Sequence, residues 1–126
     1  MSEPQAPIRV LLVEDSDVYR DSLVFLLDTR QGLEVVAAVP DGAAALRAYR
    51  DHTPDVVVLD YRLPDVDGAT VAAELREDFP HAAIVFLSAS AGVEEYDAAS
   101  SAGAALVRKD EGIDALVRAV LAAAGR

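Results

Sequence analysis

Val56-Val57-Val58-Leu59-Asp60 is an apolar run without polar alternation that stops at an acid. A strand covered on both faces loses its alternation, so this run reads as a buried parallel strand. Three further runs end on residues with comparable chemistry. Val10-Leu11-Leu12-Val13 ends in Glu14-Asp15, Ile84-Val85-Phe86-Leu87 ends in Ser88, and Ala104-Ala105-Leu106-Val107 leads through Arg108 to Lys109. Ligands of open parallel sheets gather outside the carboxyl ends of the strands. If the four runs share one sheet, three acids, a hydroxyl and an ammonium converge on one edge.

The segments between the runs carry helix signals. Ser16 or Asp17 can cap a helix over Asp17–Thr29, with Val18, Leu23, Leu26 and Leu27 expected on its inner stripe. A second strand, Glu34–Val39, turns through Pro40-Asp41-Gly42 into a helix over Ala43–His52, which Thr53-Pro54 stops before a strand over Asp55–Leu59. A loop with Pro64, Asp67 and Gly68 leads to a helix over Ala69–Phe79, followed by a strand over Ala83–Leu87. The next helix, Val93–Ala102, is poor in large apolar residues and is expected to be weakly anchored. A last strand, Ala104–Arg108, precedes a helix from Ile113 whose Ile113, Leu116, Val117, Val120 and Leu121 fit the amphipathic template. Alternating strands and helices imply an α/β fold with a doubly wound parallel sheet, and the flavodoxin-like order 2-1-3-4-5 is the common prior. That order makes the first and third strands neighbours, so Glu14, Asp15 and Asp60 meet at the switch point.

The bulk numbers narrow the function. A chain of 126 residues with a hydrophobic fraction of 52% suits a single packed domain. The expected division is a loose leader over 1–7 and one domain over 8–126. No cysteine is present, which excludes disulfides, thiolate metal sites and cysteine nucleophiles. A formal net charge of −11 disfavours binding to nucleic acid by this domain itself and to anionic membranes. With no membrane-length apolar run and no signal-peptide core, the expected location is the cytoplasm. Lys109 is the sole lysine among 11 basic residues, the others being arginine.

Three carboxylates in one place repel: two unit charges about 4 Å apart cost about 4 kcal/mol at an effective dielectric of about 20. Protonation or a bound cation relieves this. With oxygen donors only, a hard ion such as Mg²⁺ is the natural guest, and the site reads as one that handles a phosphoryl group. Asp60 ends the most hydrophobic strand and is expected to be the most desolvated acid, suited to be a nucleophile. Glu14 and Asp15 would hold the metal, while Ser88 and Lys109 offer a hydrogen bond and a charge to the transferring group. Taken singly, each is an ordinary cap, turn or surface residue; their joint placement favours the functional reading.

Glu14-Asp15, then Asp60-Tyr61-Arg62-Leu63-Pro64-Asp65-Val66-Asp67-Gly68, then Phe86-Leu87-Ser88-Ala89, then Lys109 resemble the receiver domain of two-component response regulators, over about Ile8 to Leu121. The resemblance implies that Asp60 is a phosphoacceptor served by a sensor histidine kinase. It implies that Glu14, Asp15, Asp60 and the backbone carbonyl of Arg62 hold Mg²⁺ or Mn²⁺. Ser88 then stands at the switch position, Ala89 keeps the site open, Lys109 pairs with the phosphoryl oxygens, and Arg62 and Ser90 tune dephosphorylation. Such a domain is a self-catalysed phosphoacceptor, not a turnover enzyme, and homodimerisation on phosphorylation is a family expectation.

Two positions depart from the family pattern. Leu106 stands where an aromatic switch residue is common, and Asp110 where a cis-proline is common, so a trans Lys109–Asp110 peptide is predicted. The Lys-Asp pair resembles regulators of the LuxR type, which carry a C-terminal helix-turn-helix. Ala122–Arg126 falls about where a linker to such a DNA-binding effector would start. A stand-alone receiver and a phosphorylation-independent binding module remain alternatives. A nucleotide or flavin module is disfavoured by the glycine-free, acidic first turn, and an aspartyl-phosphate hydrolase by Arg62 where such enzymes place a second acid.

Overall fold

A computed structural model describes residues 6–90 and 92–126. The expected leader lies mostly outside the described residues; Ala6 is described and its carbonyl accepts from Arg126 Nη1 at 2.8 Å. Five strands, β1 (Ile8–Val13), β2 (Leu33–Val39), β3 (Val56–Asp60), β4 (Ile84–Ser88) and β5 (Ala105–Arg108), form one sheet in the order β2-β1-β3-β4-β5. Every pairing is parallel. The helices are α1 (Asp17–Asp28), α2 (Gly42–His52), α3 (Gly68–Asp78), α4 (Val93–Ser101) and α5 (Ile113–Ala123). The doubly wound, flavodoxin-like architecture matches the expected one.

The unalternating strands are explained by two apolar layers. Leu11, Val13, Val57, Leu59, Ile84 and Phe86 point toward α2, α3 and α4, where Tyr49, Val71 and Leu75 complete one core. Val10, Leu12, Val56, Val58, Val85 and Leu87 point the other way, toward Leu23 and Leu27 of α1 and Leu116 and Val120 of α5. Successive residues of β3 therefore serve opposite cores, and all five are buried.

Element ends moved by a residue for local reasons. The third strand begins at Val56, and the Asp55 carboxylate just before it accepts from Arg9 N at 2.8 Å. Ser16 is the cap of α1, its hydroxyl accepting from Tyr19 N. The expected inner stripe of α1 is corrected at two positions: Val18 is 79% exposed and Leu26 is also exposed. Leu23 and Leu27 are four apart and share a face, on which Tyr19 also lies; Val18, five before Leu23, falls well off it. A single 3₁₀ turn, Lys109–Glu111, joins β5 to α5 and was not anticipated. Among the described residues no peptide is cis, so Lys109–Asp110 is trans as predicted.

The loop after β3 is tied down at two points. Gly68 N donates to Tyr61 O at 2.6 Å, and a Cβ on Gly68 would sit 2.6 Å from the Asp60 carbonyl oxygen, so only glycine fits there. Asp65 accepts from Gly42 N at 2.9 Å and Ala43 N at 3.1 Å, which places its carboxylate on the N-terminus of α2. Asp41 caps the same end through Ala44 N at 2.8 Å.

The Gly42 hydrogen bond, reinforced by that of Ala43, holds the Asp65 carboxyl below its ordinary value despite the opposing effect of desolvation. A depressed folded pKa contributes stability above the unfolded value, and this is lost as pH falls through the folded one. Wild type should therefore lose stability in acid, below about pH 4, more steeply than Asp65→Asn; parallel urea midpoints across that range contradict the tie. Thr53 caps α2 at φ 40°, a left-handed backbone that a β-branched residue adopts at a cost. Thr53→Asn should raise unfolding stability by about 1 kcal/mol in urea titration, and an unchanged or lower midpoint argues against strain there.

Candidate functional site at the carboxyl edge of the sheet

The strand register delivers the expected residues to one edge. Val13 pairs with Leu59, so Glu14 and Asp60 follow side by side at the carboxyl ends of β1 and β3. Asp60 pairs with Leu87 and Ser88 with Arg108, which brings Ser88 and Lys109 to the same level. Glu14, Asp15 and Asp60 each offer a carboxylate oxygen, and these atoms lie within 4.8 Å of one another.

Burial differs among the three acids. Glu14 is 0% exposed, Asp60 4%, and Asp15 is open to solvent. The expectation that Asp60 is the most desolvated acid is thus corrected: Glu14 is the most deeply buried of the three. Its Oε2 accepts from Ser16 N at 3.0 Å and its Oε1 from Lys109 Nζ at 2.6 Å. Lys109 Nζ also donates to Asp60 Oδ2 at 3.0 Å, and Asp60 Oδ1 accepts from Arg62 N at 3.1 Å. Burial alone would lower the Lys109 pKa, but its hydrogen bonds to Glu14 and Asp60 prevail and raise it above the ordinary lysine value. The ammonium also lies 4.7 Å from the centre of the Tyr19 ring, on α1.

A cavity of about 240 Å³ opens above these groups, lined by Asp15, Asp60, Arg62, Ser88, Ala89, Ser90 and Lys109. The structure therefore gathers every site residue named from the sequence except Leu106. That residue is half-buried in β5 and packs against the core under α3 and α4. Ser88 Oγ donates to Ser90 O, so the hydroxyl is turned along its own loop.

The donor set suits a hard divalent cation. All ligand-capable atoms of the cluster are carboxylate oxygens, and three formal negative charges face one ammonium. The Asp15 carboxylate stands at the solvent side of the cluster and lines the cavity, where an ion can enter.

Sequence reasoning missed three contributors. Tyr19 gave no signal beyond an aromatic residue in α1. Gly68 was visible as a turn glycine, yet its close approach to the Asp60 carbonyl is a contact across the loop. Glu95, in the first turn of α4, is buried and accepts from Arg62 Nη2 at 3.3 Å. Its partner lies 33 residues away, a separation no local pattern reports.

Comparison with known proteins places this arrangement. The family model of the response regulator receiver domain matches residues 10–121. The probable transcriptional regulatory protein NarL of Mycobacterium tuberculosis is 36% identical over 123 residues, covering 96% of this chain and 57% of that protein. The chain thus spans just over half the length of that curated relative. The structure of the signal receiver domain of the putative response regulator NarL from the same species superposes with a TM-score of 0.89 at 34% identity, covering 96% of this chain and 98% of that one. A LuxR-family two-component response regulator from Aurantimonas sp. SI85-9A1 gives the same score and identity, covering 96% of this chain and 88% of its own. With the acidic cluster, the lysine bridge and the sheet order all in place, the chain belongs to the response regulator receiver domain family.

Proposed function

We propose that Asp60 is the residue that accepts a phosphoryl group, delivered from a phosphohistidine on a sensor histidine kinase. The observation that carries this reading is Lys109 Nζ bridging Glu14 and Asp60 at the floor of a cavity open to a donor. A carboxylate oxygen of Asp60 forms the new bond to phosphorus as the phosphorus–nitrogen bond of the donor breaks, and the imidazole keeps the electron pair. Asp60 is held in place for this by Arg62 N and Lys109 Nζ, one on each oxygen. Lys109 also supplies positive charge for the phosphoryl oxygens, and the Ser88 hydroxyl can turn from Ser90 O toward them.

Glu14, Asp15 and Asp60, with the Arg62 carbonyl, are the residues that would hold Mg²⁺ or Mn²⁺. Such an ion supplies charge neutralisation for the phosphoryl oxygens. Ala89 leaves room beside Ser88, and Arg62 and Ser90 stand at the cavity mouth, where they affect water access and phosphoryl lifetime.

The receiver occupies residues 8–126 in this reading and switches an output surface rather than turning over a substrate. Its output is a DNA-binding effector at the C-terminal side, as the similarity to a probable transcriptional regulatory protein supports. The net charge of −11 leaves DNA contact to that effector. No helix among the described residues is long and apolar enough to cross a membrane, and a cytoplasmic location is part of this reading. Homodimerisation on phosphorylation completes the proposal.

Incubation with acetyl phosphate and Mg²⁺ should add one phosphoryl mass to wild type and none to Asp60→Asn. Label retained at another residue in that variant would overturn the acceptor assignment, and full labelling of wild type in EDTA would remove the divalent ion from the chemistry. Lys109→Ala should still bind Mg²⁺ by calorimetry, yet take up label about tenfold or more slowly. An unchanged rate would remove Lys109 from the chemistry.

A further inference from the structure

Arg62 and Glu95 form a link between the site and α4 that the proposed chemistry does not use. Arg62 lines the cavity beside Asp60, Ser88 and Lys109, and its side chain is 75% exposed. Its guanidinium reaches Glu95 Oε1 at 3.3 Å, and the Glu95 side chain is only 8% exposed. The other Glu95 oxygen, Oε2, accepts from Gly92 N at 2.9 Å and so caps the first turn of α4. Hydrogen bonds from its own backbone N–H and from Gly92 N, together with Arg62, hold the Glu95 carboxyl below its ordinary value despite desolvation.

A buried carboxylate needs partners, and Arg62 is its only side-chain partner among the described residues. The same guanidinium is an exposed cation on a residue that lines a cavity suited to a phosphoryl group. A dianionic group on Asp60 and the single charge of Glu95 must then compete for one arginine. The planar fork of arginine suits either acceptor.

We propose that Arg62 is a shared cation, held by Glu95 when the site is empty and drawn to the phosphoryl group when Asp60 carries one. Glu95 is then a positioning residue that acts through Arg62, and it ties the chemical state of Asp60 to the first turn of α4. This rests on the phosphoacceptor reading above. Coupling of this kind is reciprocal: if the phosphoryl group weakens the Arg62–Glu95 contact, loss of that contact must strengthen binding of a phosphoryl mimic.

The test is a double-mutant cycle read by beryllofluoride binding in the presence of Mg²⁺. Glu95→Gln keeps an oxygen for the Gly92 cap and removes the charge that holds Arg62. It should tighten beryllofluoride binding by about fivefold, whereas Arg62→Ala should weaken it. In the Arg62→Ala background, Glu95→Gln should have no further effect. An equal tightening in that background would mean that Glu95 acts through its field alone and would overturn the shared-cation proposal.

A second readout follows α4 directly. Amide exchange over residues 93–96 should accelerate when beryllofluoride binds to wild type, and should be fast already in Arg62→Ala without further change. The same acceleration in both proteins refutes the link. Absence of beryllofluoride binding and of acetyl phosphate labelling in every variant, wild type included, would instead bring down the phosphoacceptor reading and this proposal with it.

Discussion

Two buried carboxylates at the ends of adjacent strands are bridged by one ammonium that touches both. Withdrawing a carboxylate from water costs several kcal/mol, and Glu14 and Asp60 bear that cost side by side. Lys109 Nζ, at 2.6 Å and 3.0 Å from them, offsets it and in doing so fastens the end of β5 across β4 to β3 and β1. The span selects the residue type. A point charge on a flexible stem can accept two carboxylates from different strands, whereas a planar guanidinium favours one bidentate partner. The only lysine of the chain stands where that requirement is strongest.

The same constraint explains what could be read from the sequence. Strands buried on both faces lose their polar alternation, so β1, β3 and β4 were visible as apolar runs and their terminal residues as a set. Helix caps are local, and Ser16, Asp41 and Asp67 each hold a backbone amide three residues on. Long-range ties left no such trace. Asp65 caps α2 from 23 residues away, and nothing in its neighbours distinguishes it from a loop acid. The stripe of α1 was misread at Val18 and Leu26 because counting apolar residues does not fix which side of a helix meets the sheet.

Leu106 marks where the chain parts from its family pattern. Leucine there packs against the core under α3 and α4. The aromatic nearest the ammonium comes from α1, where the Tyr19 ring faces Lys109. Burial, followed by the opposing charge of Lys109 and the reinforcing charges of Glu14 and Asp60, leaves the Tyr19 hydroxyl with a raised pKa. The ring therefore stays neutral and presents its π face to the cation.

The way α4 is held decides how it can respond to the site. Its buried residues are Glu95 and Ala99, while Val93 and Tyr96 are exposed, so apolar burial contributes little to its position. An element anchored by few apolar contacts belongs to the low-stability end of a structure. What fixes its first turn is polar: a carboxylate that caps Gly92 and holds Arg62. Apolar burial is indifferent to charge at a distance, whereas an ion pair is exchanged when a stronger anion arrives beside one partner. A chain that anchors β3 and β4 by packing and the first turn of α4 by charge holds the two by forces of different kind, and only the second is sensitive to a nearby anion.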